Sequence, residues 1–172
     1  GGVCGSREHL FDALNLGDYS ATYVVLETGT GLEGHGLTFT NGRGNEIVVA
    51  AVHALKHHVV GKRLDDIVAD MRAFFRQLTV DKQLRWLGPE KGILHMATGA
   101  IVNAVWDLWA KREKKPMWKH LVDLSPEQLV STIDFTYITD VLKPEEAIEM
   151  LHAARAGREA REVVDDLQLL VA

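Results

Sequence analysis

The sequence predicts an α+β protein: an antiparallel β-hairpin, then a helical bundle, then one βα pair that opens a parallel α/β arrangement. Three observations carry this reading. Residues 22–27 (TYVVLE) and 36–40 (GLTFT), rich in β-branched and aromatic side chains, flank a glycine-rich connection. Beyond Asn45 the apolar pattern takes on helical spacing and keeps it as far as Val122. From Val130 the pattern alternates again, and Lys143-Pro144-Glu145-Glu146 then opens one more helix. A chain of 172 residues suffices for one sizeable core, or for one small domain and the start of another.

The hairpin must first be separated from a cofactor site. Gly29, Gly31 and Gly34 have G-x-G-x-x-G spacing, and Glu46 lies downstream where a ribose-binding acid would be wanted. A dinucleotide site needs a helix directly after its glycines, because the helix N-terminus holds the pyrophosphate. Here Gly34 leads into the strand-like HGLTFT, and no helical stripe begins before Ile47. The glycines are therefore read as a hairpin turn, where they supply positive φ angles.

Asn45 is expected to N-cap a first helix whose stripe is Ile47, Val48, Ala51, Val52, Leu55 and Val59, ended by Gly61. A second helix starts at Asp65-Asp66 and carries Ile67, Met71, Phe74, Phe75 and Leu78 on one face. The turn RWLGPE (85–90) leads into GILHMATGAIVNAVWDLWA, apolar nearly all round and so a buried helix, with Pro89 and Glu90 in its first turn. Its small residues Ala97, Gly99, Ala100 and Ala104 would let other elements approach. Lys111, Arg112, Lys114 and Lys115 complement its negative end, and Pro116 stops it. A short helix over Met117–Val122 follows. Ser125-Pro126-Glu127 has the form of an N-cap, an N1 proline and an acidic first turn. Residues 130–138 are expected to be a strand with Ile133, Phe135 and Tyr137 on one side, and the last helix carries Ala147, Ile148 and Leu151.

Composition narrows the function classes. A net charge of −5 argues against a nucleic-acid partner, and the basic clusters at Lys111–Lys115 and Arg155–Arg161 are interleaved with Glu or Ala, as on solvated helix faces. The single Cys4 excludes an internal disulfide and a cysteine-based zinc site, which fits a reducing compartment. No run of about 18 apolar residues exists, so no membrane partner is expected. The N-terminus lacks the form of a signal peptide and an initiator Met. An intracellular location, cytoplasmic or mitochondrial, is expected, with no targeting segment in the sequence and residues missing before Gly1.

Individual side chains offer little catalysis. His53 and His57 stand at i, i+4, but no Glu completes an H-E-x-x-H arrangement, and His58 would point elsewhere on a continuing helix; partly exposed structural histidines are expected. His95 is expected to be a hydrogen-bonded core histidine. Asp107, between Trp106 and Leu108, needs a backbone donor or a basic partner. No G-x-S-x-G, P-loop or Cys–His nucleophile pair occurs.

Longer motifs carry a family resemblance. Ala104-Val-Trp-Asp-Leu-Trp-Ala-Lys111, with Pro116 and Leu121 after it, resembles the A-x-W-D-x-x-x-K-x-x-x-x-P signature of the mandelate racemase-like (muconate lactonizing) enolase superfamily. DYSATYVV (18–25), GHGLTFT (34–40), RWLGPEKG (85–92) and IDFTYITD (133–140) resemble L-fuconate dehydratases, and in particular the animal mitochondrial branch of that group. The resemblance covers roughly residues 12–160 and implies an N-terminal fragment.

It implies a capping domain over 1–124 and the truncated start of a modified TIM-like barrel over 125–172. It also implies a sugar-acid dehydratase, in which a base removes the proton α to a carboxylate, Mg²⁺ stabilises the enediolate and the β-hydroxyl leaves as water. In the family the catalytic Lys-x-Lys pair and the acidic metal ligands sit on later barrel strands. Lys111, Lys114 and Lys115 do not match that pair, and Asp134 and Asp140 precede the ligands, so no catalytic residue and no Mg²⁺ ligand is expected in this chain. The substrate-binding residues that carry over are Tyr19, and Asp12 at a spacing one residue short. Two departures stand out: GGVCGSREHL does not read as the family's first capping strand, and the tail VVDDLQLLVA (163–172) leaves the pattern. A missing edge strand and barrel would expose apolar surface, favouring self-association or binding to a full-length homologue. Superfamily membership with another acid-sugar substrate is the remaining alternative.

Overall fold

The computed structural model of the chain describes residues 4–9, 19–88 and 91–158. It contains two compact units, Gly1–Val122 and Asp123–Ala172. The first opens with a three-stranded antiparallel sheet, β1 (Cys4–His9), β2 (Tyr19–Glu27) and β3 (Glu33–Asn41), in the order β1-β2-β3. The expected hairpin is present. Its five-residue loop is closed by Thr28 N–H donating to Leu32 O (3.0 Å) and Gly31 N–H donating to Thr28 O (3.1 Å), with Gly31 at φ 82°. The expectation that the sheet lacks its first strand is corrected. Cys4–His9 pairs with Val24–Tyr19 along its whole length. CGSREH carries little strand propensity, but an edge strand is held by backbone ladder bonds that any non-proline residue can make.

Five helices and two 3₁₀ turns complete the unit's path: α1 (Asn45–Leu55), a 3₁₀ turn (Lys56–His58), α2 (Leu64–Val68), α3 (Met71–Thr79), a 3₁₀ turn (Arg85–Leu87), α4 (Ile93–Arg112) and α5 (Met117–Asp123), while α6 (Pro126–Ser131) opens the second unit. One core joins Val24 of β2, Val48 and Leu55 of α1, Met71, Phe74 and Leu78 of α3, and Leu94, Ala97, Ala100, Ile101, Ala104 and Val105 of α4. Leu55, Leu78 and Leu94 are fully buried, each contributing about 1.5–3 kcal/mol of hydrophobic transfer.

Three local expectations change. Asn45 does not cap α1: Gly44, at φ 98°, occupies the cap position, and the buried Asn45 side chain instead accepts from Thr22 Oγ1 (2.7 Å) and donates to Ala21 O (3.2 Å). It ties α1 to β2. The single helix expected from Asp65 is two, because the Asp70 carboxylate accepts the Ala73 N–H (2.8 Å) and so starts a new helix. The long helix begins at Ile93, later than Pro89-Glu90 implied; those two residues lie outside the described ones.

The close approach expected of α4's small residues is real for its alanines, and the glycines that complete it lie on β3. A Cβ on Gly36 would stand 2.0 Å from Ala100 O and 2.6 Å from Ala104 N; one on Gly34 would stand 2.2 Å from Ala104 O. Gly99, by contrast, has open space where its Cβ would go. Strand and helix backbones therefore touch, and only glycine fits at those two positions.

In the second unit Ser125 and Gln128 form a reciprocal capping box (2.9 and 3.1 Å) with Pro126 in the first turn of α6. Helix α7 (Pro144–Ala154) starts as the sequence predicts, and Val130, Phe135 and Ala147 form a small core. The expected strand over 130–138 is not formed. Helix α6 runs to Ser131, and the following backbone closes on itself in turns, with Ile138 N–H donating to Phe135 O (3.0 Å) and Leu142 N–H to Ile138 O (2.8 Å). Among the described residues this unit has no strand to pair with, so the backbone groups are satisfied locally. Phe135 is buried while Tyr137 is 72% exposed, so the alternation did not mark one face.

Candidate functional site

The sheet has two chemically distinct faces. Thr22 and Val24 of β2, with Gly34 and Gly36 of β3, point toward α4 and are buried. Tyr19, Tyr23, Leu37 and Phe39 point outward, with exposures of 51, 42, 48 and 61%. In register, Tyr23 lies opposite Leu37, Ala21 opposite Phe39, and Tyr19 opposite Asn41. Tyr19 therefore begins β2 at the end of an aromatic and aliphatic face, with its phenol open to whatever approaches. Asp12, the other expected substrate-binding residue, lies outside the described residues.

Behind this face the signature residues of α4 hold β3. Asp107 Oδ2 accepts the His35 backbone N–H at 2.7 Å and pairs with Lys111 Nζ at 2.7 Å, while Lys111 Nζ also donates to Glu33 O at 3.0 Å. Both partners expected for Asp107, a backbone donor and a base, are present. The side of β3 away from β2 presents unpaired ladder groups, and the i, i+4 pair on α4 supplies one acceptor and one donor to them. Trp106 and Trp109 stack on each other at 5.0 Å, and buried His120 of α5 meets Trp109 edge-on at 4.5 Å. The motif is a clamp on the sheet, with its carboxylate and ammonium both engaged by the β3 backbone.

The histidines are arranged differently from the sequence expectation. His53 is exposed, as expected, but His95 is also exposed, its ring edge-on to Phe75 at 6.0 Å, and is not a core residue. At Lys56 the α-helix tightens to 3₁₀ geometry, and His57 and His58 then lie with ring centroids 4.0 Å apart. Both face Asp81: His58 Nε2 is 3.1 Å and His57 Nε2 3.7 Å from Asp81 Oδ2. The His58 imidazole holds the Asp81 carboxyl below its usual range, aided by the Gln83 N–H and opposed by burial. Among the described residues these three are the group able to hold a metal ion. Sequence spacing missed Asp81 because it lies 23 residues beyond His58 on a different turn.

A sheet whose strand backbone is pressed onto a signature-bearing helix defines the class. Residues 16–121 match the description "Mandelate racemase / muconate lactonizing enzyme, N-terminal domain", and the chain belongs to that family. It is 60% identical over 158 residues to mitochondrial enolase superfamily member 1 of Xenopus laevis, covering 90% of this chain and 36% of that protein. It is 52% identical over 158 residues to L-galactonate dehydratase of Hypocrea jecorina, covering 91% and 35%. The crystal structure of human mitochondrial enolase superfamily member 1 superposes with a TM-score of 0.88 at 53% identity, over 94% of this chain and 39% of that one. A Streptomyces coelicolor A3(2) racemase crystallised with bound magnesium shares the fold at a TM-score of 0.60 and 21% identity, over 73% of this chain and 35% of that one. The chain thus spans about a third of the length of the curated relatives it matches. Among the described residues no helix is long and apolar enough to cross a membrane.

Proposed function

We propose that this chain supplies the substrate-capping part of a sugar-acid dehydratase of the L-fuconate type, in which a proton α to a carboxylate is removed and a β-hydroxyl leaves as water. The supporting observation is 52% identity to a named L-galactonate dehydratase across 91% of the chain, together with an open phenol at Tyr19 on the outward face. Tyr19, with Asp12 before it, would hydrogen-bond sugar hydroxyls, and the Asp107–Lys111 clamp would hold β3 beside them. Proton abstraction and the loss of water are assigned to the two thirds of the relatives' length that this chain does not span. A mitochondrial location is proposed on the name of the frog relative.

Magnesium is implied for the reaction, where it would stabilise the enediolate. The described residues do not fit it: their one metal-competent cluster sets two imidazoles beside one carboxylate, whereas Mg²⁺ prefers oxygen ligands in octahedral array. Substrate positioning is therefore the role proposed for these residues.

The test is direct. The 172-residue chain is assayed with L-fuconate and L-galactonate in the presence of Mg²⁺; no turnover is expected, and Mg²⁺-dependent turnover would overturn the assignment. In a protein extended to the relatives' length, Tyr19→Phe should lower kcat/KM for the acid sugar by up to about tenfold, the worth of one hydrogen bond. A second reading draws on the outward face of Tyr23, Leu37 and Phe39, whose exposed apolar side chains suit association with another copy or a full-length homologue. Light scattering coupled to size exclusion separates the two: a monomer that ignores the homologue counts against association.

A further inference from the structure

We propose that His57, His58 and Asp81 form a binding site for a late first-row divalent cation of the zinc class, separate from the magnesium chemistry of the dehydratase reaction. The three ligand atoms lie within 4.8 Å of one another. Ligands around a tetrahedral cation with bonds of about 2.0–2.2 Å are spaced about 3.3 Å apart. The two distances to Asp81 Oδ2, 3.1 and 3.7 Å, bracket that spacing, and the two imidazole nitrogens, within 4.8 Å of each other, would close on the ion by small rotations of the rings.

What lifts this above a chance surface cluster is the support behind each ligand. His57 Nδ1 lies 3.0 Å from Ala54 O. A carbonyl can only accept, so that nitrogen carries the proton and Nε2, the atom facing Asp81, presents its lone pair. This is the outer hydrogen bond that orients a metal-binding imidazole. Asp81 Oδ1 accepts the Gln83 N–H at 2.8 Å, which fixes the carboxylate and leaves Oδ2 for the ion. Asp81 is only 10% exposed and His58 19%, so their positions are set by packing, while His57 at 61% leaves the site open to entering ions. In the metal-free form the proton on His58 Nε2 bridges to Asp81 Oδ2. To ligate, the neutral imidazole exchanges to its Nδ1–H tautomer through solvent, so Nε2 presents its lone pair and the cation takes the bridging position with no net proton released. Two imidazoles and one carboxylate favour Zn²⁺ over Mg²⁺ and leave a further position for water or an anion.

The 172-residue chain, stripped with a chelator, is titrated with ZnCl₂ and separately with MgCl₂ by calorimetry. One equivalent of Zn²⁺ should bind and Mg²⁺ should not compete. His57→Ala and Asp81→Asn should each weaken Zn²⁺ binding by roughly tenfold or more, while His53→Ala, exposed one turn earlier, should leave it unchanged. Because His57 is largely exposed, its replacement should keep the far-ultraviolet circular dichroism of the unsubstituted chain. Cobalt(II) supplies a second readout, a strong visible absorption of low coordination number that disappears in His57→Ala. Absence of a stoichiometric Zn²⁺ isotherm, a weak six-coordinate cobalt spectrum, or equal affinity in all three variants overturns the proposal.

Discussion

Alanine at Gly36 should be among the most damaging single-atom additions to this chain. Its Cβ would meet Ala100 O at 2.0 Å and Ala104 N at 2.6 Å, both backbone atoms of a buried 20-residue helix that cannot rotate away. Ordinary contact starts at 3.4 Å, so β3 would have to retreat by roughly 1.4 Å. Overpacking of this kind costs about 1–3 kcal/mol. The retreat also stretches the 2.7 Å bond from His35 N–H to Asp107, a charge-assisted bond worth about 1.5–3 kcal/mol. Together the penalty is about 2.5–6 kcal/mol, against a total of about 5–15 kcal/mol for a typical domain. Urea unfolding followed by tryptophan fluorescence reads the first unit, which holds Trp86, Trp106, Trp109 and Trp118. Two controls set the scale. Gly29→Ala, with open space and no positive φ, should change stability by less than about 0.5 kcal/mol. Gly31→Ala, open but at φ 82°, should cost about 1 kcal/mol through backbone strain alone. A Gly36→Ala chain within about 0.5 kcal/mol of the parent would refute the backbone contact between β3 and α4.

Asp107→Ala removes the acceptor for His35 N–H and the partner of Lys111; a loss of about 1.5–3 kcal/mol is expected, with Asp107→Asn retaining part of the stability, measured by urea midpoint. Thr22→Val keeps the shape of a fully buried side chain but leaves Asn45 Oδ1 without its 2.7 Å donor, and should cost about 1–3 kcal/mol in the same assay. Glu127 is held down to about 2 by its own backbone N–H, with the His152 imidazole 2.7 Å away and Ser125 adding to it. Its folded value lies below the ordinary 4.5, so its contribution is fully present above that pH and fades as pH falls toward 2. Carboxyl carbon shifts by NMR should show Glu127 still ionised at pH 3, and His152→Ala should move its titration upward.

Much of the architecture was legible because it rests on short-range pattern. Strand-rich segments around a glycine turn, an all-round apolar helix of 20 residues, and Ser125-Pro126-Glu127 each state their conformation within one or two turns of chain. The signature Trp106-Asp107…Lys111 named the family by resemblance, and the expectation that Asp107 needs a backbone donor or a basic partner was physically sound, the structure supplying both. Pattern failed where the deciding partner was remote or missing. The alternation at 133–137 promised a strand, but a strand exists only with a ladder partner, and its backbone turned on itself instead. CGSREH looked too weak for a strand, yet β2 offered it a full edge.

By itself, then, the sequence determined the order of elements, the buried helix and the family, because periodicity, caps and motif residues are local and written directly in residue type. The tertiary structure alone decided what the glycines and histidines are for. Of the three glycines with cofactor spacing, Gly31 makes the turn, while Gly34 joins Gly36 in bringing β3 onto α4, a distinction set by what lies 70 residues away. His57 and His58 meet Asp81 only because a helix tightens at Lys56 and the chain returns after α3. Contacts between distant segments depend on packing geometry in three dimensions, which no spacing along one dimension encodes.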